Sequence, residues 1–69
     1  MKLSARNIIK GKIRKVTRGA TTAHVKIDVG GGTVIIASIT NEAVSELKLK
    51  ADDQAYAVIK ASDVMIGKD

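Results

Sequence analysis

Between Thr22 and Val29 the chain alternates cleanly, with Ala23, Val25, Ile27 and Val29 on one side and Thr22, His24, Lys26 and Asp28 on the other. Period-two alternation of this kind predicts a half-buried strand. Upstream, Ile8, Ile9, Ile13 and Val16 are interleaved with Lys10, Lys12, Arg14 and Lys15. Ile9, Gly11 and Ile13 share one strand face while Val16 falls on the other, so a strand bent or bulged near Gly11 is expected. Gly30-Gly31-Gly32 then breaks the pattern before Val34, Ile35, Ile36 and Ile39 resume it. A glycine break between two β-rich runs reads as a hairpin loop. The strand that follows, Thr33 to Ile39, is apolar on both faces. It should be covered on both, by the barrel and a helix or by a neighbouring subunit.

Thr40-Asn41 supplies a helix N-cap, Glu42 suits the positive first turn, and Val44 and Leu47 share a face. The spacing predicts a short helix from Asn41 to Lys48. Asp52-Asp53 marks a turn. Gln54 to Ala61 reads as a strand, with Ala55, Ala57, Ile59 and Ala61 on one face and Tyr56 and Val58 on the other. Ser62-Asp63 starts either a single helical turn or a last strand through Val64, Met65 and Ile66. The sum is a mainly β fold, an OB-like small Greek-key barrel with one short helix. It occupies residues 1–69 as one domain, without linker, repeat or low-complexity stretch.

Composition changes the picture in one respect. A chain of 69 residues buries a small share of its surface, and usually needs disulfides, a metal or oligomerisation. Cysteine, Phe, Trp and Pro are absent, His24 is the single histidine and Tyr56 the single aromatic residue. Neither a disulfide nor a zinc site can supply the missing stability. Hydrophobic residues nevertheless make up 45% of the chain. Apolar content without large anchors implies that part of the core lies between subunits of a homo-oligomer. The formal net charge of +5 favours anions and permits nucleic-acid binding. No apolar run reaches membrane-spanning length and the start has no signal-peptide hydrophobic region, so a cytoplasmic location is expected.

Three polar clusters could carry chemistry. Ser4-Ala5-Arg6-Asn7 offers a hydroxyl, a guanidinium and an amide just before the first strand, with no carboxylate. Lys60-Ala61-Ser62-Asp63 places a mobile cation, a hydroxyl and free backbone N–H groups at a strand end, which suits an anion. Thr17-Arg18-Gly19-Ala20-Thr21-Thr22 combines three hydroxyls, a cation and a glycine. Read singly, each is an ordinary strand terminus or surface turn. The glycine triplet lacks the strand-to-helix context of a phosphate loop. His24 lies on a polar face with no second ligand nearby. Asp52-Asp53 is not a catalytic pair, and Glu42 and Glu46 form a solvated helix face. No nucleophile has a base beside it, so the chain is read as non-enzymatic.

In combination these segments resemble the molbindin family, also called the Mop domain. The resemblance covers essentially the whole chain. It is most specific at Ser4-Ala5-Arg6-Asn7-Ile8-Ile9-Lys10-Gly11 and at Val58-Ile59-Lys60-Ala61-Ser62-Asp63-Val64-Met65. Thr22-Ala23-His24-Val25-Lys26-Ile27 and Ile39-Thr40-Asn41-Glu42-Ala43 match the family's middle strand and helix start. Two separated motifs in the right order and spacing make the match specific.

The resemblance implies an OB-like barrel that assembles, typically into a hexamer, and binds molybdate or tungstate between subunits for intracellular storage. The metal would be bound as its oxyanion, without direct side-chain metal ligands and without a further cofactor. The implied site joins Ser4, Ala5, Arg6 and Asn7 to Lys60, Ala61 and Ser62, with Gly19, Ala20 and Thr21 offered by a neighbouring subunit. Backbone N–H groups at Ala5, Arg6, Ala61 and Ser62 and the Ser4 and Ser62 hydroxyls would surround the oxygens, and Lys60 would offset the charge. Arg6 ranks below Lys60 and Ser62, because it could instead hold the interface. Donors without acceptors would also reject protonated phosphate. Two other readings compete. A nucleic-acid-binding OB module is suggested by Lys10, Lys12, Arg14, Lys15 and Arg18, but a single aromatic residue argues against it. A purely structural assembly protein would form stable oligomers and bind neither ligand.

Overall fold

The computed structural model describes residues 2–69. The alternating segment forms β2 (Thr22–Gly30), and its inward residues Ala23, Val25 and Ile27 are buried. The upstream cation-rich segment forms β1 (Asn7–Arg18), which pairs antiparallel with β2. Gly30, Gly31 and Gly32 all have positive φ. Gly31 and Gly32 are the two residues between β2 and β3 (Thr33–Thr40), a tight hairpin that needs left-handed backbone at both positions.

Helix α1 (Asn41–Leu47) follows directly, and Thr40 caps it by accepting a bond from the Ala43 N–H at 3.0 Å. β4 (Gln54–Ile59) then returns to pair with the far side of β1. The sheet order is β3-β2-β1-β4. Three consecutive hairpin-type neighbours and a fourth strand returning beside the first define a Greek key. The expected mainly β fold with one short helix is therefore present.

The long first strand serves two partners. Asn7 to Lys12 pair with β4, and Lys12 to Arg18 pair with β2. The expected irregularity is there, but not at Gly11. The register slips between Ile13 and Lys15, so Arg14 is the extra residue of the bulge. Gly11 has a different task, because β2 approaches it too closely for any side chain. Beside the bulge, Ile13 is bound on both backbone groups by the turn before β4. Its N–H donates to the Asp53 carbonyl and its own carbonyl accepts from the Asp52 N–H, each at 2.8 Å.

The core is small and entirely aliphatic. Ile13, Ala23, Val25 and Val44 are buried together, with Val16, Ala37, Ile39, Leu49 and Ala55 packed around them. Val44 is 1% exposed and brings α1 onto the inner sheet face. Leu47, expected on the same face, is 66% exposed. The helix ends sooner than its apolar spacing suggests, with Lys48 turning left-handed at φ 53. The Lys48 N–H bonds the Ser45 carbonyl and the Leu49 N–H bonds the Val44 carbonyl. This Schellman closure swings Leu49 back onto the core in place of Leu47.

Two other expectations change. β4 ends at Ile59, two residues before Ala61, which opens a single 3-10 turn (Ala61–Asp63). Of the two alternatives for Ser62-Asp63, the helical turn forms and a strand through Val64 to Ile66 does not. Within the chain, β3 is covered on one face only. Ile36, on the other, is 64% exposed, and Met65 and Ile66 are almost fully exposed.

Candidate functional site

The pairing of β1 with β4 decides what meets at one end of the sheet. Asn7 lies opposite Ile59, so the segment before β1 and the segment after β4 leave the sheet side by side. Ser4-Ala5-Arg6 and Lys60-Ala61-Ser62 thereby start from neighbouring strand ends, though the two are more than fifty residues apart in sequence. The Asn7 side chain locks this register, its Nδ2 donating to the Ile59 carbonyl at 3.2 Å. That donor is spent on the fold, which makes Asn7 a joint between the two motifs.

Backbone groups at this end are sorted by the 3-10 turn. The Lys60 carbonyl accepts from the Asp63 N–H at 2.9 Å, and the Ala61 carbonyl accepts from the Val64 N–H at 3.3 Å. The N–H groups of Ala61 and Ser62, the first of the turn, have no backbone partner among the described residues. Two carbonyls are thus consumed while two N–H donors and the Ser62 hydroxyl stay available. Lys60, Ala61 and Ser62 are exposed, as are Ser4 and Arg6, and Ala5 is half-buried.

The third cluster sits at the opposite end of β1. Asn7 and Arg18 are the two ends of a strand of twelve residues, roughly 35 Å of extended chain before bending. Here Gly19, Ala20 and Thr21 form the β1–β2 connection. The Gly19 N–H donates to the Thr22 carbonyl at 2.8 Å, and a Cβ on Gly19 would stand 2.8 Å from that same oxygen. Only glycine closes the turn this tightly. One chain therefore does not bring all ten candidate residues together. It carries Ser4–Asn7 with Lys60–Ser62 at one end, and Gly19–Thr21 at the other.

Asn41, read from sequence only as part of a helix start, holds the loop in place. Its backbone N–H donates to the Thr21 carbonyl and its Nδ2 to the Gly19 carbonyl, both at 3.0 Å. Arg18 reaches the same helix, donating to the Asn41 carbonyl at 3.3 Å and to Ser45 Oγ at 3.1 Å. That guanidinium is an anchor between loop and helix. Asn41 Oδ1 is buried with no partner, a cost of about 1–3 kcal/mol for an unmet acceptor. Turning the amide over would set this oxygen against the Gly19 carbonyl, so the Gly19 bond fixes its orientation. No local sequence signal could reveal the contact, since Gly19 and Asn41 are 22 residues apart.

Other features carry less. His24 is exposed and pairs across the sheet with Thr17 and Ser38. Asp53 Oδ2 accepts from the Lys50 N–H within a turn, and Asp28 Oδ1 accepts from the Gly30 N–H at the end of β2. Among the described residues no group of three His, Cys, Asp or Glu could hold a metal ion. A shallow depression of about 520 Å³ lies between β1 and the end of α1, with Arg14, Lys15, Arg18, Val44, Leu49 and Lys50 on its walls. None of the ten candidate residues lines it. Apart from half-buried Ala5 and Asn7, the candidate residues are exposed at the two ends of β1.

Comparison with known proteins gives these clusters a setting. The TOBE domain model matches residues 3–66. A Haemophilus influenzae protein named "Probable molybdenum-pterin-binding protein" is 48% identical over 67 residues, with 97% of each chain covered. A molybdate binding protein from Sporomusa ovata has the same fold, with a TM-score of 0.92 and 31% identity over 99% of this chain and 100% of that one. The cytoplasmic molybdate-binding protein ModG, solved with molybdate bound, matches with a TM-score of 0.89 and 48% identity over 94% of this chain. The match spans 46% of the ModG chain.

Proposed function

Because the chain belongs to the TOBE-domain family, in its molbindin form, we propose that it binds molybdate or tungstate in pockets shared between copies of itself. It acts as a store or buffer of the oxyanion in the cytoplasm and catalyses no reaction. The observation that supports this reading is the Asn7–Ile59 pairing, from which the Ser4–Asn7 and Lys60–Ser62 motifs start at neighbouring strand ends. Consumed carbonyls and free Ala61 and Ser62 N–H groups make that sheet end a place of net donors. Three of the relatives' names concern molybdenum or molybdate, which supplies the identity of the anion.

Binding follows from simple electrostatics. A doubly negative tetrahedral anion presents four oxygens and needs donors around all of them. Ala61 N–H, Ser62 N–H, the Ser62 hydroxyl and Ser4 provide neutral donors, and Lys60 a charged one, which makes shorter and stronger bonds to such oxygens. Gly19, Ala20 and Thr21 close the pocket from another copy. The assembly proposed is a symmetric oligomer, a hexamer by family resemblance, and its contacts would cover the apolar residues that one chain leaves exposed, such as Ile36. No described helix is long and apolar enough to cross a membrane.

The reading is tested at Lys60. In Lys60→Ala the molybdate Kd should rise about 10- to 100-fold, the worth of a hydrogen bond to a charged group. Ser62→Ala should raise it less, and the mass of the assembly should stay the same in both. Affinity unchanged in both variants would remove this sheet end from the site.

A further inference from the structure

We propose that Asn41 is a positioning residue that sets the oxyanion selectivity of the Gly19–Thr21 loop by fixing which way one peptide faces. The inference rests on the proposed reading, in which this loop forms half of the anion pocket.

A trans peptide is planar, and its C=O and N–H point in opposite directions. The Gly19 carbonyl and the Ala20 N–H belong to one such unit. Asn41 Nδ2 holds that carbonyl at 3.0 Å on the side of the helix, so the Ala20 N–H faces away from it. The next carbonyl but one, that of Thr21, is held on the same side by the Asn41 backbone N–H. The N–H groups of Ala20 and Thr21 donate to no backbone carbonyl among the described residues. With the Thr22 carbonyl taken by the Gly19 N–H, the turn has its acceptors drawn in at Gly19, Thr21 and Thr22.

The arrangement matters because a peptide can flip. Rotation of the Gly19–Ala20 unit would replace an outward N–H by an outward carbonyl oxygen. A donor there suits an anion with no proton on its oxygens, such as molybdate. A carbonyl there would repel molybdate and accept the O–H of hydrogen phosphate. The flip turns ψ of Gly19 and φ of Ala20 together, and glycine at position 19 relaxes the first of these. The Asn41 carboxamide closes off the flip. Its Oδ1 is buried with no partner, so among the described residues this side chain bonds through Nδ2 alone.

Asn41→Asp is the discriminating change. It keeps size and shape, puts an acid in the first helical turn where the dipole favours it, and sets an oxygen against the Gly19 carbonyl. The full chain, in its native assembly, is titrated with sodium molybdate alone and then in competition with inorganic phosphate near neutral pH. The variant should lose about tenfold or more in molybdate affinity, and phosphate should become a measurably better competitor. Assembly mass should match the original protein, and loss of the Gly19 bond should lower the melting temperature by about 4–8 °C for each kcal/mol it contributed. In the unaltered protein, labelled with ¹⁵N, the Ala20 amide resonance should shift on adding molybdate.

Equal molybdate affinity in Asn41→Asp, or a loss that leaves discrimination against phosphate unchanged, overturns the proposal while the molybdate reading stands. Failure of the unaltered protein to bind molybdate removes the reading itself. Should Asn41→Asp not assemble, the Ala20 amide decides, because a resonance indifferent to saturating molybdate excludes the role.

Discussion

Replacing Gly11 with alanine is expected to lower the unfolding free energy by about 1–3 kcal/mol, and valine should lower it further. A Cβ at this position would stand 2.6 Å from the Asp28 carbonyl oxygen and 2.8 Å from Ile27 Cγ1. The nearer obstacle is backbone and cannot rotate aside. Moving β2 away would strain the adjoining Lys12–Asp28 and Ile13–Ile27 pairs, while Gly11 itself stays paired with Ala55 of β4. A glycine-to-alanine change at an unobstructed site gains about 0.4–1 kcal/mol from the unfolded chain, so the clash must outweigh that gain. Thermal unfolding at matched protein concentration checks it, since each kcal/mol moves the midpoint of a small domain by about 4–8 °C. An unchanged or higher midpoint would mean that β2 does not approach β1 this closely.

The second large effect concerns the sharing of the pocket. Lys60→Glu and Thr21→Glu each place a carboxylate in one half-site, and each variant alone should lose nearly all molybdate binding. Thr21 offers its backbone carbonyl to Asn41 and its side chain is exposed, so the loop tolerates the change. If the two halves of a pocket come from different copies, mixed assemblies of the two variants regain intact pockets. Random mixing in a symmetric oligomer should restore about a quarter of them. Co-expression followed by titration counts the restored sites. Restoration of none, with assemblies of normal mass, would show that both halves of a pocket come from one chain. The length of β1 argues against that outcome, because it holds the two clusters at opposite ends.

Much of this fold can be read along the chain, wherever a local pattern dictates the structure. The alternation from Thr22 to Val29, the glycine triplet and the Thr40 cap each specify their element by short-range geometry. The Leu47 expectation failed because a left-handed Lys48 reverses the chain and returns Leu49 to the core, which apolar spacing alone does not encode. The sequence points to a bend or bulge near Gly11 because a glycine within a strand signals either a bulge or a close backbone approach. Here the bulge lies at Arg14 and the close approach at Gly11. β4 ended early because Ala61 joins the turn that sorts the Lys60 and Ala61 carbonyls from the free N–H groups.

The candidate residues had a different kind of legibility. Ser4–Asn7 and Lys60–Ser62 read singly as polar strand ends, and the family resemblance joined them before any geometry did. The Asn7–Ile59 pairing supplies the physical reason for the junction. It is a contact of high sequence separation, for which neither motif carries a local signal. The hold of Asn41 on the loop was missed for the same reason, since the bond spans from a helix start to a distant hairpin.

Selective binding of a tetrahedral oxyanion is decided by calorimetric titration of the anion-free assembly with molybdate. Sulfate and phosphate in matched buffer are the controls. Molybdate should bind tightly, and neither control should displace it. Absence of binding over a wide range of molybdate concentration, or equal binding of sulfate, would contradict selective oxyanion binding.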